Sequence, residues 1–234
     1  TFPCSYIPDE HLQHLRSLVQ VRHSLMEEKV RCNVRIQAFL DKNRVLMPPY
    51  EAFSKHWRQT LQEHLSTGAV SSDLQYEYDH FLFLENKQRH VEQEMKHYTR
   101  IHWRKEYTLI QSVTGFGPVL ACYVIAHVCP IERFPSNRKL RRYAGVIPVT
   151  KQSGETTSKG HIPKGSSRKQ LRWALVQAAN TAGKTDTPLG RYYRKKKKQK
   201  KITAIAKIAV ASSMIDIIYK VLTTKRPYQA LSAE

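Results

Sequence analysis

The sequence has little of what would place it outside a cell or in a bilayer. Four cysteines, Cys4, Cys32, Cys122 and Cys129, stand among 234 residues with no C-x-x-C pair and no regular spacing. That argues against a disulfide scaffold or a zinc ribbon and for reduced, intracellular thiols. No signal peptide opens the chain. No apolar run reaches the length of about 18 residues that a membrane helix needs. The best candidate, 202–222, is broken by Lys207, Asp216 and Lys220, which excludes a span. Acidic residues are scarce in one part only. Residues 1–100 hold 13 basic and 13 acidic side chains, whereas residues 101–234 hold 26 basic and 6 acidic ones. The formal charge of +20 therefore sits wholly in the C-terminal part. That asymmetry suggests two units with different jobs, and a field of this sign concentrates polyanions, of which nucleic acid is the densest in a cell. A composition of 41% apolar and 9% aromatic residues supplies a core and argues against global disorder.

The N-terminal part reads as long helices. Pro8-Asp9-Glu10 has the form of a helix start, and 9–44 contains no glycine or proline. Leu12, Leu15, Val19 and Met26 form one stripe and Leu18, Val21 and Leu25 a second, which implies more than one packing neighbour. Met47-Pro48-Pro49 ends the element. A second helix is expected over 50–65 and a third over 71–104. Leu84, Gln88, Val91, Met95 and Tyr98 keep a coiled-coil register with one polar position, which suits either an intramolecular hairpin or a dimerisation stalk. His11 and His14 are three apart on a helix with only Glu10 nearby, and are read as surface histidines rather than metal ligands.

The basic part carries the motifs. In 109–121 an apolar helix end meets Thr114-Gly115-Phe116-Gly117, and Pro118 begins a new helix. This is the pattern of a helix-hairpin-helix. Its glycines permit backbone angles closed to other residues and let a phosphate approach the amides, and the following helix N-terminus offers unpaired N–H groups. The alternative is a tight corner that only packs. A short basic helix from Asn137 to Tyr143 carries Arg138, Lys139, Arg141 and Arg142 on more than one face. Residues 150–169 form a polar, glycine-punctuated loop, long enough to suggest function. Ser166 or Ser167 is expected to cap a helix over 168–182, whose first turn holds Arg168, Lys169 and Arg172. These cations oppose the helix dipole, so their placement favours an anionic ligand. Pro188 begins another helix, in which the run 191–201 reads as a solvated cationic face. Ile202, Ile205, Ile208, Ile215, Ile218 and Leu222 mark a closing core helix.

Taken in order, Val-Thr-Gly-Phe-Gly-Pro-Val-Leu-Ala (113–121), Arg-Phe-Pro-Ser (133–136), Tyr-Ala-Gly-Val-Ile-Pro (143–148), Gln-Ser-Gly (152–154), Lys-Gly-His-Ile-Pro-Lys-Gly (159–165), Leu-Arg-Trp-Ala-Leu-Val-Gln-Ala-Ala (171–179) and Arg-Pro-Tyr (226–228) resemble the C-terminal domain of bacterial insertion-sequence transposases of the DEDD class. This is the "one-ten" group with its "eleven-eleven" subgroup, related to the Piv and MooV invertases. The segment 9–44 also resembles the stretch that follows the family's nuclease domain. The resemblance implies that Ser153 is the nucleophile on a DNA phosphate, with Lys151, Lys159 and Lys164 able to neutralise charge around it. Two positions depart from the pattern: Glu155 stands where a second glycine is usual, and Ile-Pro-Lys replaces Ile-Ser/Thr-Lys. The resemblance also implies a noncoding guide RNA beside DNA as partner.

The fold class expected is mainly α: a long helical, coiled-coil region over 1–105, a helix-hairpin-helix domain with a long loop or short hairpin over 106–229, and a tail over 230–234. The DEDD metal-binding domain would lie upstream of Thr1, so the chain reads as a truncated copy that binds DNA without transposing it. No metal ligands are assigned here, and Mg2+ is expected only with the absent domain. Nucleic-acid contacts are assigned to Thr114, Gly115, Gly117, Arg138, Arg142, Lys151, Lys159, Lys164, Arg168, Lys169 and Arg172. A homo-oligomer through the long helices, and a cytoplasmic, nucleoid-associated location, complete the expectation. The alternative is a non-catalytic architectural protein that binds nucleic acid.

Overall fold

The computed structural model describes residues 6–49, 51–67, 72–147, 149–153, 156–161, 168–200 and 203–229, with the backbone alone over 149–153 and 156–161. Helices dominate, as the apolar periodicity requires. In chain order they are α1 (Glu10–Lys42), α2 (Lys55–Ser66), α3 (Ser72–His102), α4 (Arg104–Gln111), α5 (Pro118–Val128), α6 (Asn137–Ala144), α7 (Lys169–Gly183), α8 (Pro188–Lys200) and α9 (Thr203–Thr224). One antiparallel hairpin, β1 (Val149–Ser153) and β2 (Thr156–His161), lies between α6 and α7 in sequence. The loop expected over 150–169 is thus a β-ribbon along much of its length, and the mainly α class holds.

The chain divides into two compact units, one of residues 21–93 and one that joins residues up to 20 with residues from 94 onward. The division falls inside the long helices, where no break in periodicity marks it, rather than near 105. In the smaller unit, Cys32, Ile36 and Leu40 of α1, Trp57 and Leu61 of α2, and Leu74, Tyr78, Phe81 and Leu84 of α3 form one core. Arg22 pairs with Glu92 at 2.8 Å and Arg35 with Glu77 at 2.9 Å, so α1 and α3 run antiparallel there. Leu84, the first residue of the coiled-coil register, lies in this core with residues of this chain's own α1. Helix α2 starts five residues later than its pattern suggests. Phe53 takes a positive φ of 64°, and Ser54 caps the helix by accepting from the Trp57 amide at 3.4 Å. Arg58 holds Glu85 with two donors, at 2.8 and 3.0 Å, and draws its carboxyl down to about 2.

In the larger unit α5 is the centre. Every residue from Ala121 to Val128 is buried, so it is apolar all round and needs neighbours on all sides. Helices α4 and α7 pack on it, α9 packs on α4, α6 and α7, and α8 lies against α7 and α9. Ala174, Ala178, Ala179 and Ala182 keep the buried face of α7 flat enough for that approach. Helix α9 turns Ala206, Val210, Met214, Ile215, Ile218 and Leu222 inward, while Ile205 is 46% exposed and lies off the core stripe expected for it. Ile202 lies outside the described residues. Near the C-terminus the Tyr228 amide donates to Ser112 Oγ at 2.8 Å. Cys32, Cys122 and Cys129 are free and buried, and burial pushes the Cys122 thiol up to about 11 and the Cys129 thiol up to about 12. His11 stacks on His102 at 4.0 Å and lies 2.8 Å from the Tyr98 hydroxyl, in an aromatic cluster that also takes in His14.

Candidate nucleic-acid interface

The turn between α4 and α5 holds Thr114, Gly115 and Gly117. Gly115 has φ +99°, the left-handed region expected of it, and a Cβ built there would lie 2.4 Å from the Ala178 carbonyl oxygen of α7. Its lack of a side chain serves close packing. Gly117 differs: it is exposed, caps α5 in extended conformation and has nothing within 4 Å of a built Cβ. The first turn of α5 behind it opens on Pro118, which has no N–H to lose.

Helix α6 begins where Ser136 accepts from the Lys139 amide and ends at Gly145 in left-handed conformation. Leu140 and Ala144 are its buried anchors. Arg141, one residue beyond Leu140, is drawn to α9, where Asp216 receives it at 2.7 Å and receives Asn137 at 2.9 Å. Arg138 and Arg142, four apart and therefore on one side of the helix, are left exposed.

Helix α7 is capped by Arg168, without a side-chain acceptor. The serines expected to cap it lie outside the described residues. Lys169 and Arg172 line a shallow groove of about 390 Å³ with Trp173, Val176 and Ile208. Two cations above an apolar floor offer charge for a phosphate and a surface for a base or sugar. Sequence reasoning placed Trp173 in packing alone; its position next to Arg172 was the available signal for the groove. Ala178, against which Gly115 packs, is nine residues beyond Lys169, about 13 Å along the helix. The α4–α5 turn thus meets α7 well beyond the groove's cation Lys169.

Ser153 occupies the last described rung of the hairpin, opposite Thr156, and Lys151 pairs with Ser158. Lys159 lies in β2, and Lys164 lies outside the described residues. Helix α8 presents Lys195, Lys197 and Lys198 to solvent, which matches a solvated face.

The electrostatics decide what this surface can bind. Of the acids in 101–234, the four described ones are already engaged: Glu106 and Glu132 with Lys225, Asp186 with Arg191 and Arg194, and Asp216 with Arg141. Among the described residues, no ion pair engages Arg138, Arg142, Arg168, Lys169 or Arg172. Nor do any three His, Cys, Asp or Glu side chains among the described residues come together as a metal-ligand set. No described helix is long and apolar enough to cross a membrane.

His127, near the end of α5, is 6% exposed, and its Nε2 donates to Gln170 Oε1 at 3.1 Å. Burial, followed by the nearby Arg16, pulls its pKa down to about 4. An unfolded histidine titrates near 6.5. The stability this confers is full above that value and falls away as pH drops toward about 4, by roughly 3 kcal/mol in total. Urea unfolding at pH 4.5 and 7.5 should show this loss in the wild type and a smaller one in His127→Gln. Equal losses in both would remove His127 as its source.

Comparison with known proteins gives the surface a context. Residues 107–194 match the model of the transposase IS116/IS110/IS902 family. An insertion element IS116 uncharacterized 44.8 kDa protein of Streptomyces clavuligerus is 31% identical over 118 residues, half of this chain and 29% of that protein. A putative transposase, y4qE, of Sinorhizobium fredii is 27% identical over 179 residues, 75% of this chain and 42% of that protein. An insertion element IS110 uncharacterized 43.6 kDa protein of Streptomyces coelicolor is 27% identical over 122 residues, 52% of this chain and 30% of that protein. The matched stretches thus span less than half the length of each relative. Residues 107–194 run from α4 into α8 and take in the hairpin, α6 and the groove residues of α7, so the part of the chain that resembles the transposase IS116/IS110/IS902 family is the part that carries this surface.

Proposed function

We propose that this chain supplies the part of an insertion-sequence transposase that grips nucleic acid, and that in the intact enzyme Ser153 is the nucleophile of strand exchange. The observation that carries the reading is the set of unpaired cations on α6 and α7 inside the family segment, in a region whose four described acids are all engaged. A phosphodiester chain is the polyanion that suits such a surface. The exposed start of α5 at Gly117 adds a helix-hairpin-helix contact to the backbone. In the reaction, the Ser153 hydroxyl oxygen would form a bond to phosphorus while one ester oxygen leaves with a proton, so that the phosphodiester is conserved as a covalent link. Lys151, Lys159 and Lys164 are near it in sequence and would offset the charge that develops.

The divalent metal implied by the DEDD class does not fit the ligands this chain offers among its described residues. The chain by itself is a binder of DNA and of a guide RNA, both drawn by the same surface, and acts within bacterial cytoplasm at the nucleoid. Self-association through the long helices completes the proposal; the exposed Val30, Val34, Tyr76 and Phe83 give the smaller unit an apolar surface for it. A purely architectural nucleic-acid binder would share the affinity and lack the chemistry at Ser153.

The binding half of the proposal is tested by titrating a labelled 30-base-pair duplex at several salt concentrations. If about six cations meet phosphates, log affinity falls against log salt with a slope near −5. A flat response removes nucleic acid from the account.

A further inference from the structure

Three guanidiniums gather at the C-terminal end of α5. Arg16 of α1 donates from Nε to the Ala126 carbonyl at 2.7 Å, and Arg133 donates from Nη2 to the His127 carbonyl. Both therefore have a structural reason to be there, since carbonyls at a helix end accept cations. The cluster does not stop at that. Arg133 lies 4.6 Å from the centre of the Tyr6 ring, and Arg16 lies 5.9 Å from the same centre. Arg133 is also 4.9 Å from the centre of the Tyr143 ring, which Arg168 approaches at 5.6 Å. Two tyrosines thus string three arginines into one row, Arg16, Arg133 and Arg168. Arg168 closes the row through its Nε, which donates to the Tyr143 hydroxyl at 3.2 Å, and through its amide, which donates to the Tyr143 carbonyl at 3.2 Å.

The charge in this row is not balanced. A helix end offers the equivalent of about half a negative charge, against three guanidiniums. No ion pair among the described residues includes Arg16, Arg133 or Arg168, and the described acids of 101–234 are engaged elsewhere. Burial and the nearness of Arg133 and Arg168 pull Arg16 below its ordinary pKa. Donors are left over as well: Arg16 Nη2 and Arg133 Nε are buried without a hydrogen-bond partner. Buried polar groups in folded proteins are rarely left so, and two donors at one place are available to a ligand. The geometry also suits one kind of ligand. Planar guanidiniums, held by ring faces and with free N–H edges, bind tetrahedral oxyanions by paired hydrogen bonds.

We propose that Arg16, Arg133 and Arg168, aligned by Tyr6 and Tyr143 at the end of α5, form a binding site for one phosphate group of a nucleic-acid strand. The inference rests on the nucleic-acid reading above and gives it a fixed point. Arg133 precedes α6 with its exposed Arg138 and Arg142, and Arg168 immediately precedes the groove residues Lys169 and Arg172. A strand anchored at the row would be handed between those two helices, close in sequence to both ends of the hairpin segment.

The test has two arms. In the first, thermal unfolding of the whole chain is followed in sodium phosphate and in sodium chloride at equal ionic strength. Phosphate should raise the midpoint saturably in the wild type and in Lys195→Met, on the solvated face of α8, and not in Arg133→Met or Arg168→Met. Arg168 is exposed and its side chain bonds to the Tyr143 hydroxyl, so its variant folds even if Arg133→Met does not. In the second arm, a labelled 30-base-pair duplex is titrated. Arg168→Met should lose about tenfold in affinity, the effect of one charged hydrogen-bonded contact, and should lower the salt slope by about one. A wild type with no phosphate response, or an Arg168→Met that keeps it in full, overturns the site. A response lost in the variants with duplex affinity unchanged makes it a free-anion site and overturns its role in strand binding. A wild type that binds no duplex at any salt refutes the nucleic-acid reading and the strand role together, while the phosphate arm still reads whether the row holds an anion.

Discussion

Gly115→Ala should lower the stability of the larger unit by about 3 kcal/mol or more, whereas Gly117→Ala should change it by less than about 1 kcal/mol. The two glycines stand two residues apart in one motif, and a reading from sequence treats them alike. The structure separates them. At Gly115 the backbone has φ +99°, where an L side chain is strained, and the new methyl would lie 2.4 Å from a backbone oxygen of α7. Neither atom belongs to a flexible side chain, so relief requires moving α7 from α5 and opening the core around Leu175 and Ala178. Strain of about 1–3 kcal/mol and an overpacking cost of similar size add at this site. For a unit of this size that amounts to a fall in the unfolding midpoint of about 10 °C. Gly117, at φ −76° with open space beside it, meets neither penalty. Thermal unfolding of the two variants decides the matter, and equal shifts would mean that the α4–α5 turn does not pack on α7 as described. Duplex titration of Gly117→Ala adds a second reading: a modest loss common to all sequences marks a backbone contact.

Ser153→Ala carries the largest functional effect. In a transposase that includes this segment together with its metal-binding part, the substitution should lower strand exchange by on the order of 10³ or more, because removing a covalent nucleophile leaves only binding and electrostatics. Duplex affinity should stay within about twofold, since one neutral hydroxyl contributes little to a contact dominated by phosphate charge. Ser153 ends β1, and its rung with Thr156 is made by backbone groups that alanine retains. A variant that exchanges strands at the wild-type rate places the nucleophile elsewhere. Loss of binding in step with exchange would make Ser153 a structural residue.

How much of this could be read beforehand differed from element to element. Helices α5 and α8 were legible because proline marked their starts, and α9 because apolar residues kept helical spacing. The break at Trp103 between α3 and α4 was not, since Trp103 leaves the helical angles with no side-chain cap to signal it. The late start of α2 hangs on a positive φ at Phe53, which no propensity scale assigns to phenylalanine. Lys169 and Arg172 were found from their place in a first turn where cations are unfavourable. Arg16 and Arg133 were not, because they lie 117 residues apart in sequence and meet only through the end of α5. Periodicity reports the face of one helix; it is silent on which distant residue reaches a given carbonyl.

Asp216 is the one acid in α9, and its contacts with Arg141 and Asn137 fasten α6 to the core of the larger unit. The pair of arginines on the outer side of α6 is therefore held at a set angle before any strand arrives. A binder whose contacts are already rigid surrenders little conformational freedom on association. For this face, recognition should resemble a hand already shaped to a rail rather than one closing upon it. Asp216→Asn, which loosens the grip without touching an outer arginine, would then show itself as faster dissociation even though the surface gains one positive charge.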